Sequence, residues 1–305
     1  MITFETLADL SKNAQNAVIA IGNFDGVHLG HQELLRHAAA VAKAKGAKFG
    51  VLTFEPHPRA LLRPDDPPFR ITPKAVKARR LGECGVELLF TLNFDWPFAS
   101  QSAAQFIDNV LKNGIKPAHI VVGHDFAFGQ LRKGTPETLK AAGYEVTVLD
   151  MLADEGNDKY SSSRVRQFLQ EGDIASANEV LGWEWEIDGI VVKGDQRGRT
   201  IGYPTANVPL GDTLHPAYGV YATWVQIEGE TEWRPSATNI GIRPMFELKV
   251  GQVETFIFNF DRDIYGRTLR IKPVKRLRGE AKFDSLGSLT AQIAKDCEEA
   301  RAILS

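Results

Sequence analysis

The chain has 305 residues, more than one hydrophobic core usually serves, since cores stop growing near ~250–300 residues, so two domains are expected. A formal net charge of −2 leaves no overall basic field for a nucleic-acid partner. No apolar run approaches the ~20 residues needed to cross a bilayer, which excludes a helical membrane protein.

Two cysteines, Cys84 and Cys297, are too few and too far apart for a disulfide framework or a zinc pattern. Both fall in helical patterns and are expected as buried free thiols, which suits a reducing cytoplasm. The N-terminal stretch MITFETLADLSKNAQ carries acids early and lacks an apolar centre, so no secretory signal is expected.

The first half alternates. Strands are predicted at 18–22, 48–53, 87–92, 119–123 and 145–149, with helices at 32–45, 74–83, 102–113 and 136–142 between them. Leu34, Leu35, Ala38, Val41 and Ala42 share one face of the first helix, and Gly46 is placed to cap it. Short, nearly continuous apolar strands separated by helices indicate a parallel sheet covered on both faces. Ligands bind such sheets beyond the carboxyl ends of the strands.

Three turns fall at those ends. The first is GNFDGVHLGH, residues 22–31. Its glycines Gly22, Gly26 and Gly30 permit tight turning around Phe24, and His28 and His31 stand three apart where a helix should begin. A helix start favours phosphate, and imidazoles add donors. An isolated HxxH is more often a pair of surface histidines; the strand–glycine–helix setting argues for the anion site. The second turn is Thr53-Phe54-Glu55-Pro56-His57-Pro58, where prolines restrict the neighbours of His57. The third is Gly123-His124-Asp125-Phe126-Ala127-Phe128-Gly129. Phe54, Phe126 and Phe128 are either core or a flat apolar surface for an aromatic ring.

Ser161-Ser162-Ser163-Arg164-Val165-Arg166 then opens a helix reaching about Glu171. It is either an ordinary capped helix or another anion site built from Ser162, Arg164 and Arg166. A helix at 173–181 follows. From Trp183 helical periodicity vanishes until about residue 284. Strands are predicted at Glu186–Lys193, Gly219–Glu228, Thr231–Ile240, Gln252–Phe260 and Thr268–Lys275, which indicates a small antiparallel barrel. The domain boundary falls near 183–186. Residues 284–304 form a closing helix with Leu286, Leu289, Ile293, Cys297, Ala300 and Leu304 on one face.

Within the barrel half, Gly194–Asn207 contains Gly194, Gly198 and Arg199 in a loop suited to phosphates. Thr205 and Asn207 offer two hard oxygens that suit Mg²⁺ held partly by nucleotide phosphate. A plain β-turn explains the same residues. Glu254 lies in an otherwise apolar strand; by alternation it faces solvent, unless it points into a site. The cluster Lys272–Arg278 alternates with Pro, Val and Leu and reads as one strand face.

Taken in order, GNFDGVHLGH, TFEPHP, GHDFAFG, SSSRVR, RGRTIGYPTAN, PAYGVYA, NIGIRP, VETF, DIYG and RLRGEAKF resemble the prokaryotic bifunctional riboflavin kinase/FMN adenylyltransferase family over nearly the whole chain. The resemblance implies a Rossmann-like α/β nucleotidyltransferase domain at 1–183, followed by a riboflavin kinase β-barrel with a C-terminal helix at 184–305. It implies phosphorylation of riboflavin by ATP to FMN, then adenylylation of FMN to FAD with release of pyrophosphate. Glu254 is implied as the kinase base, and Thr205 and Asn207 as ligands of Mg²⁺, with ATP as co-substrate. ATP contacts are implied for Gly22, Phe24, Gly26, His28, His31, Ser162, Arg164, Arg166, Gly194, Gly198, Arg199 and Thr205. His28, His31 and Arg164 would be catalytic for adenylyl transfer, and Phe54, His57, Asp125 and Phe126 would hold flavin. The implied partners are riboflavin, FMN and ATP in the cytoplasm, with no nucleic acid and no membrane; a homo-oligomer stays open.

Ala127 departs from the family's usual arginine, Met245 from a threonine, and Ser163 from a threonine. Ala127 raises a second expectation, a riboflavin kinase with a weakened adenylyltransferase half. A flavin-binding regulator without turnover is a third, against which the intact GNFDGVHLGH, PTAN and Glu254 argue.

Overall fold

A computed structural model describes residues 1–8, 10, 14–150, 152–194, 197–245 and 248–305. Asp9 and residues 11–13 of the N-terminal stretch, and Asp195 and Gln196 of the glycine–arginine loop, lie outside the described residues. The chain divides into two compact units. The first comprises Met1–Asp66 and Lys74–Ser161, the second Pro67–Pro73 and Ser162–Ser305.

The first unit runs β1 (Ile2–Phe4), β2 (Val18–Ile21), α1 (Leu29–Lys45), β3 (Phe49–Glu55), α2 (Pro58–Leu62), α3 (Lys74–Glu83), β4 (Leu88–Asn93) and α4 (Trp96–Ala99). It continues with α5 (Ala103–Phe106), which passes into a π-helical segment Ile107–Ile115, then β5 (His119–Gly123), a 3₁₀ turn Gln130–Arg132, α6 (Pro136–Ala141) and β6 (Val146–Leu149). The strands form one parallel sheet in the order β1-β4-β3-β2-β5-β6. β2 is buried on both faces: Ile19 and Ile21 join one apolar cluster, Val18 and Ala20 the other. This two-sided burial is why the strands read as continuous apolar runs. The chain order reverses direction across the sheet between β2 and β5, the topological switch point where ligands bind.

Four expectations shift here. α1 begins at Leu29, not Gln32, because His28 caps it; its ring accepts a hydrogen bond from the His31 N–H. Histidine is outside the usual capping set, so the earlier start leaves no ordinary signal. The helix expected at 102–113 is a short α-turn followed by the π-helical Ile107–Ile115, where the Leu7 side chain packs closely on Gly114. Cys84 sits in the turn after α3 and is only half-buried, while Cys297 is buried; both thiols are free. β1, α2 and α4 are too short to show a period.

The second unit runs α7 (Ser162–Glu171), α8 (Ile174–Leu181), β7 (Ile187–Ile190), α9 (Arg197–Thr200), β8 (Ala206–Pro209), β9 (Gly219–Ile227), β10 (Arg234–Met245), β11 (Leu248–Ile257), β12 (Thr268–Arg278) and α10 (Leu286–Ile303). Its strands are antiparallel in the order β7-β12-β9-β10-β11-β8. A bridge between Val192 and Asn207 brings the two ends together into a near-barrel.

β10 and β11 form a longer hairpin than expected, pairing from Ser236↔Ile257 out to Met245↔Leu248. Gly241, Pro244 and Gly251 punctuate the sequence there and hide its length. α9 interrupts a stretch expected to lack helix. Inside the near-barrel a hydroxyl chain joins Thr223 to Ser236 (2.9 Å) and Thr238 (2.7 Å), and Thr238 to Thr255 (3.0 Å). α10 packs on the outer face through Cys297, Ala300 and Leu304 against Ala222 and Ala237. Leu286, expected on that face, is exposed because it is the first residue of the helix and projects beyond the packed end.

Pro67–Pro73 belongs to the second unit although it lies between α2 and α3 in sequence. Arg70 pairs with Asp212 at 3.0 Å and bridges Thr213, and the Trp185 indole N–H donates to the Ile71 carbonyl at 3.0 Å.

Candidate active sites

In the first unit, β2 delivers the chain into a turn that is strained by design of its sequence. Phe24 has φ +49° and Val27 φ +40°, conformations that cost about 1–3 kcal/mol each in a non-glycine residue. Both side chains are almost wholly buried, and that burial holds the turn. The Phe24 ring folds back over Gly22, 3.2 Å from where a Cβ would stand. His28 is buried at the N-cap of α1, and its Nδ1 accepts from the His31 N–H at 3.4 Å. The two imidazoles stack with centroids 3.7 Å apart, and Phe24 meets His31 edge-on at 5.3 Å. A Cβ at Gly30 would come within 3.2 Å of the His28 ring and 3.4 Å of the Tyr160 carbonyl. The structure thus gathers Gly22, Phe24, Gly26, His28 and His31 around one helix start that has no acidic residue in its first turn.

The turns after β3 and β5 flank it, because those strands are the neighbours of β2. His57 is buried, follows a cis Glu55–Pro56 bond, and caps α2 by accepting from the Arg59 N–H at 3.1 Å. Phe54 and Phe126 are partly buried at the margin of one apolar cluster and belong to a continuous aromatic chain. Phe54 meets Phe98 at 5.5 Å, Phe98 meets Phe106 at 6.2 Å, Phe106 meets Phe128 at 5.0 Å, and Phe128 meets Phe126 at 5.6 Å. Of the three phenylalanines in question, Phe128 is core. Asp125 is exposed, and its carbonyl accepts from the Arg132 guanidinium at 3.1 Å.

Sequence reasoning missed Lys77. It is buried in α3, with Nζ 2.7 Å from the Glu55 carboxylate, 3.3 Å from Thr53 Oγ1 and 3.4 Å from the Asn23 carbonyl. It therefore ties the first turn to the end of β3. Its signal was a charge four residues before Leu81, on the apolar face of the helix.

Ser162, Arg164 and Arg166 lie in α7 of the second unit. The Arg164 guanidinium lies 5.6 Å from the Phe168 ring. Arg166 stacks on Phe69 at 5.6 Å, and its Nε donates to the Phe69 carbonyl at 2.8 Å.

The barrel site lies on the outer face of the sheet. Asn207, Glu254 and Asn239 stand directly opposite one another across β8, β11 and β10. Directly paired residues share a face, so these three polar side chains project together. Asn207 is buried and Glu254 and Asn239 are half-buried. The Asn207 amide donates to the Thr205 carbonyl at 3.1 Å, and its Oδ1 accepts from Gln252 Nε2 at 2.9 Å. Gly194 passes flat over that amide: a Cβ there would lie 2.7 Å from its carbon, nitrogen and oxygen alike. The α9 turn is closed by Tyr203 N–H donating to the Gly198 carbonyl at 2.8 Å, and a Cβ at Gly198 would strike the Tyr203 carbonyl. Thr205 Oγ1 is 3.9 Å from that same position, so Gly198 and Thr205 are neighbours, and Arg199 is exposed on the turn. Glu280 reaches the same face beside Gly241.

A sequence model of the FAD synthetase family matches residues 10–164, and one of the riboflavin kinase family matches residues 181–304. The chain belongs to the bifunctional riboflavin kinase/FMN adenylyltransferase family. It is 40% identical to the Bacillus subtilis (strain 168) bifunctional riboflavin kinase/FMN adenylyltransferase, over 95% of this chain and 93% of that one. It is 39% identical to the Escherichia coli (strain K12) protein of the same name, over 92% and 91%. A crystal structure described as a macrolide-efflux protein from Streptococcus pneumoniae matches with a TM-score of 0.84 and 36% identity over 98% of both chains. Among the described residues no helix is long and apolar enough to cross a membrane.

Proposed function

We propose that this chain carries both activities of its family, adenylyl transfer in residues 1–183 and riboflavin phosphorylation in residues 184–305. Membership of the family and the match of both halves to their family models support the pair of reactions. The observation that carries the kinase assignment is Glu254 directly opposite Asn207 on a sheet face that Gly194 roofs.

In the kinase half the nucleophile is the ribityl 5′-hydroxyl of riboflavin, a weak one at neutral pH that wants a base within reach. Glu254 takes its proton as the oxygen attacks the γ-phosphorus of ATP, and ADP leaves. The hydroxyl of Thr205 and amide oxygen of Asn207 are hard, neutral donors, a set that suits Mg²⁺ shared with nucleotide phosphate. When bound, the ion neutralises phosphate charge. Gly194, Gly198 and Arg199 cover the phosphates.

In the other half the nucleophile is the FMN phosphate, already an anion, so no base is required. It attacks the α-phosphorus of a second ATP and pyrophosphate leaves. The α1 N-terminus, His28 and His31 stabilise the charge that develops there. Gly22, Phe24 and Gly26 shape the turn against ATP. Phe54, Phe126, His57 and Asp125 form the flavin side. The two free thiols support a reducing, cytoplasmic setting.

Chromatography of riboflavin with Mg·ATP tests this reading. FMN should appear first and FAD second. Glu254→Ala should abolish FMN formation and leave FMN-to-FAD conversion intact, and His28→Ala with His31→Ala should do the reverse. FMN formation by the Glu254 variant at the wild-type rate would overturn the base assignment. Ala127 favours one second reading, a kinase with a slow adenylyltransferase half; absence of pyrophosphate from FMN plus ATP would select it. Arg132, in the 3₁₀ turn that follows, donates to the Asp125 carbonyl.

A further inference from the structure

We infer that Gln252, together with the Thr205 carbonyl, sets which end of the Asn207 amide faces the cation, and that it thereby tunes the Mg²⁺ requirement of the kinase half. This rests on the proposed role of Asn207. An asparagine amide presents an oxygen acceptor at one end and an N–H₂ donor at the other, and only the oxygen can ligate a cation. The two ends have nearly the same shape, so packing alone does not choose between them. Gly194 lies flat against the Asn207 amide and confines its plane without distinguishing its ends.

Hydrogen bonding makes the choice. Gln252 Nε2 donates to Asn207 Oδ1 at 2.9 Å, and Asn207 Nδ2 donates to the Thr205 carbonyl at 3.1 Å. A flipped amide would set acceptor against acceptor at the fixed Thr205 carbonyl, and the Gln252 amide would have to turn over with it to avoid donor against donor. Gln252 takes one lone pair of Oδ1, and the carbonyl oxygen has a second. Register explains the reach: Gln252 lies opposite Pro209 on β8, diagonal to Asn207 and on the same face. Its other cross-strand partner is Gly241, and the Glu280 carboxylate takes the place a side chain there would fill. Gln252 is therefore a positioning residue; it acts on the cation through Asn207.

The test uses the full chain with Gln252→Met, which keeps the length and removes the donor. FMN formation is followed against free Mg²⁺ at saturating riboflavin and ATP. ADP binding is measured by calorimetry with and without Mg²⁺; the first unit is the same in both proteins and contributes equally. The half-maximal Mg²⁺ concentration should rise about tenfold or more, as when an outer partner of a metal ligand is lost. The Mg²⁺-dependent gain in ADP affinity should shrink by the same factor. The KM for riboflavin and the conversion of FMN to FAD should not change. Gln252→Thr, a good strand former too short to reach, guards against a folding defect and should behave alike.

A carboxylate has two equivalent oxygens, so Asn207→Asp removes the need for orientation. In that background Gln252→Met should leave the Mg²⁺ requirement unchanged. An equal shift in both backgrounds, or a raised KM for riboflavin with the Mg²⁺ dependence unmoved, would overturn the inference. If instead Asn207→Ala leaves the Mg²⁺ dependence of FMN formation untouched, the underlying assignment of Asn207 has failed.

Discussion

At the scale of single residues, the two sites are held by opposite means. The first turn keeps Phe24 and Val27 in left-handed conformations and relies on their burial. The barrel site instead uses an absent side chain, at Gly194. Gly194→Ala would bring a methyl group to 2.7 Å from the Asn207 amide and displace it. A displaced ligand of this kind should lower FMN formation on the order of a hundredfold, with FMN-to-FAD conversion unchanged, as separate assays of the two steps would show. His215 provides a pH signature in the same unit. Its Nδ1 lies 2.7 Å from the Tyr218 hydroxyl, and burial lowers its pKa below the ordinary histidine value. A histidine lowered in the folded state contributes stability that is complete above about pH 6.5 and lost as pH falls through the folded value. The urea midpoint should therefore fall between pH 7 and pH 5 by more in the wild type than in His215→Gln.

Much of this was legible residue by residue, and the exceptions have causes. Alternation puts Glu254 on the outer face, and it stands there. Its surroundings were hidden because they come from Asn207, Asn239 and Gly194, far away in sequence. Lys77 broke the pattern of its own helix, yet its partners Glu55, Thr53 and Asn23 come from other segments. Gln252 and Arg132 look like ordinary surface polar residues until the register and the loop geometry are known.

At the scale of elements, strands buried on both faces and helices with ordinary caps were read well: β5, α3 and the Gly46 cap of α1 fall at their expected positions. Boundaries failed where an unusual group did the work, as with the His28 cap and the π-helical turn over Leu7. The basic run Lys272–Arg278 lies in β12, but register shifts after Pro273 and after Arg276 divide it between two faces instead of the one expected, and its last residue anchors a helix. Arg278 Nε reaches Asp296 Oδ1 at 2.9 Å and its terminal nitrogen reaches Oδ2 at 2.7 Å, a two-pronged pair with a buried carboxylate. Truncating it to Met strands Asp296 without its counter-charge. Arg278→Met should cost about 3 kcal/mol, measured by urea unfolding, and Arg278→Met with Asp296→Leu should recover part of that loss.

At the scale of the molecule, alternation followed by short strands announced a parallel sheet and then a barrel. The course of Pro67–Pro73 was not legible, because nothing in a seven-residue loop names a distant partner. Those residues supply the acceptor for Trp185 and the partner of Asp212. A fragment of residues 162–305 should consequently melt at a lower temperature than the same unit within the whole chain. A synthetic peptide of residues 67–73 added in excess should raise its melting temperature, as calorimetry would show.

The order of synthesis adds a consequence. Ile71 leaves the ribosome 114 residues before the tryptophan whose indole it accepts. At about 5–20 residues per second that is a wait on the order of ten seconds. The sheet of the first unit can close in that interval, with its strands all made before Ser162. The loop between α2 and α3 must meanwhile stay undocked, its apolar Phe69 and Ile71 exposed to the crowded space around the nascent chain.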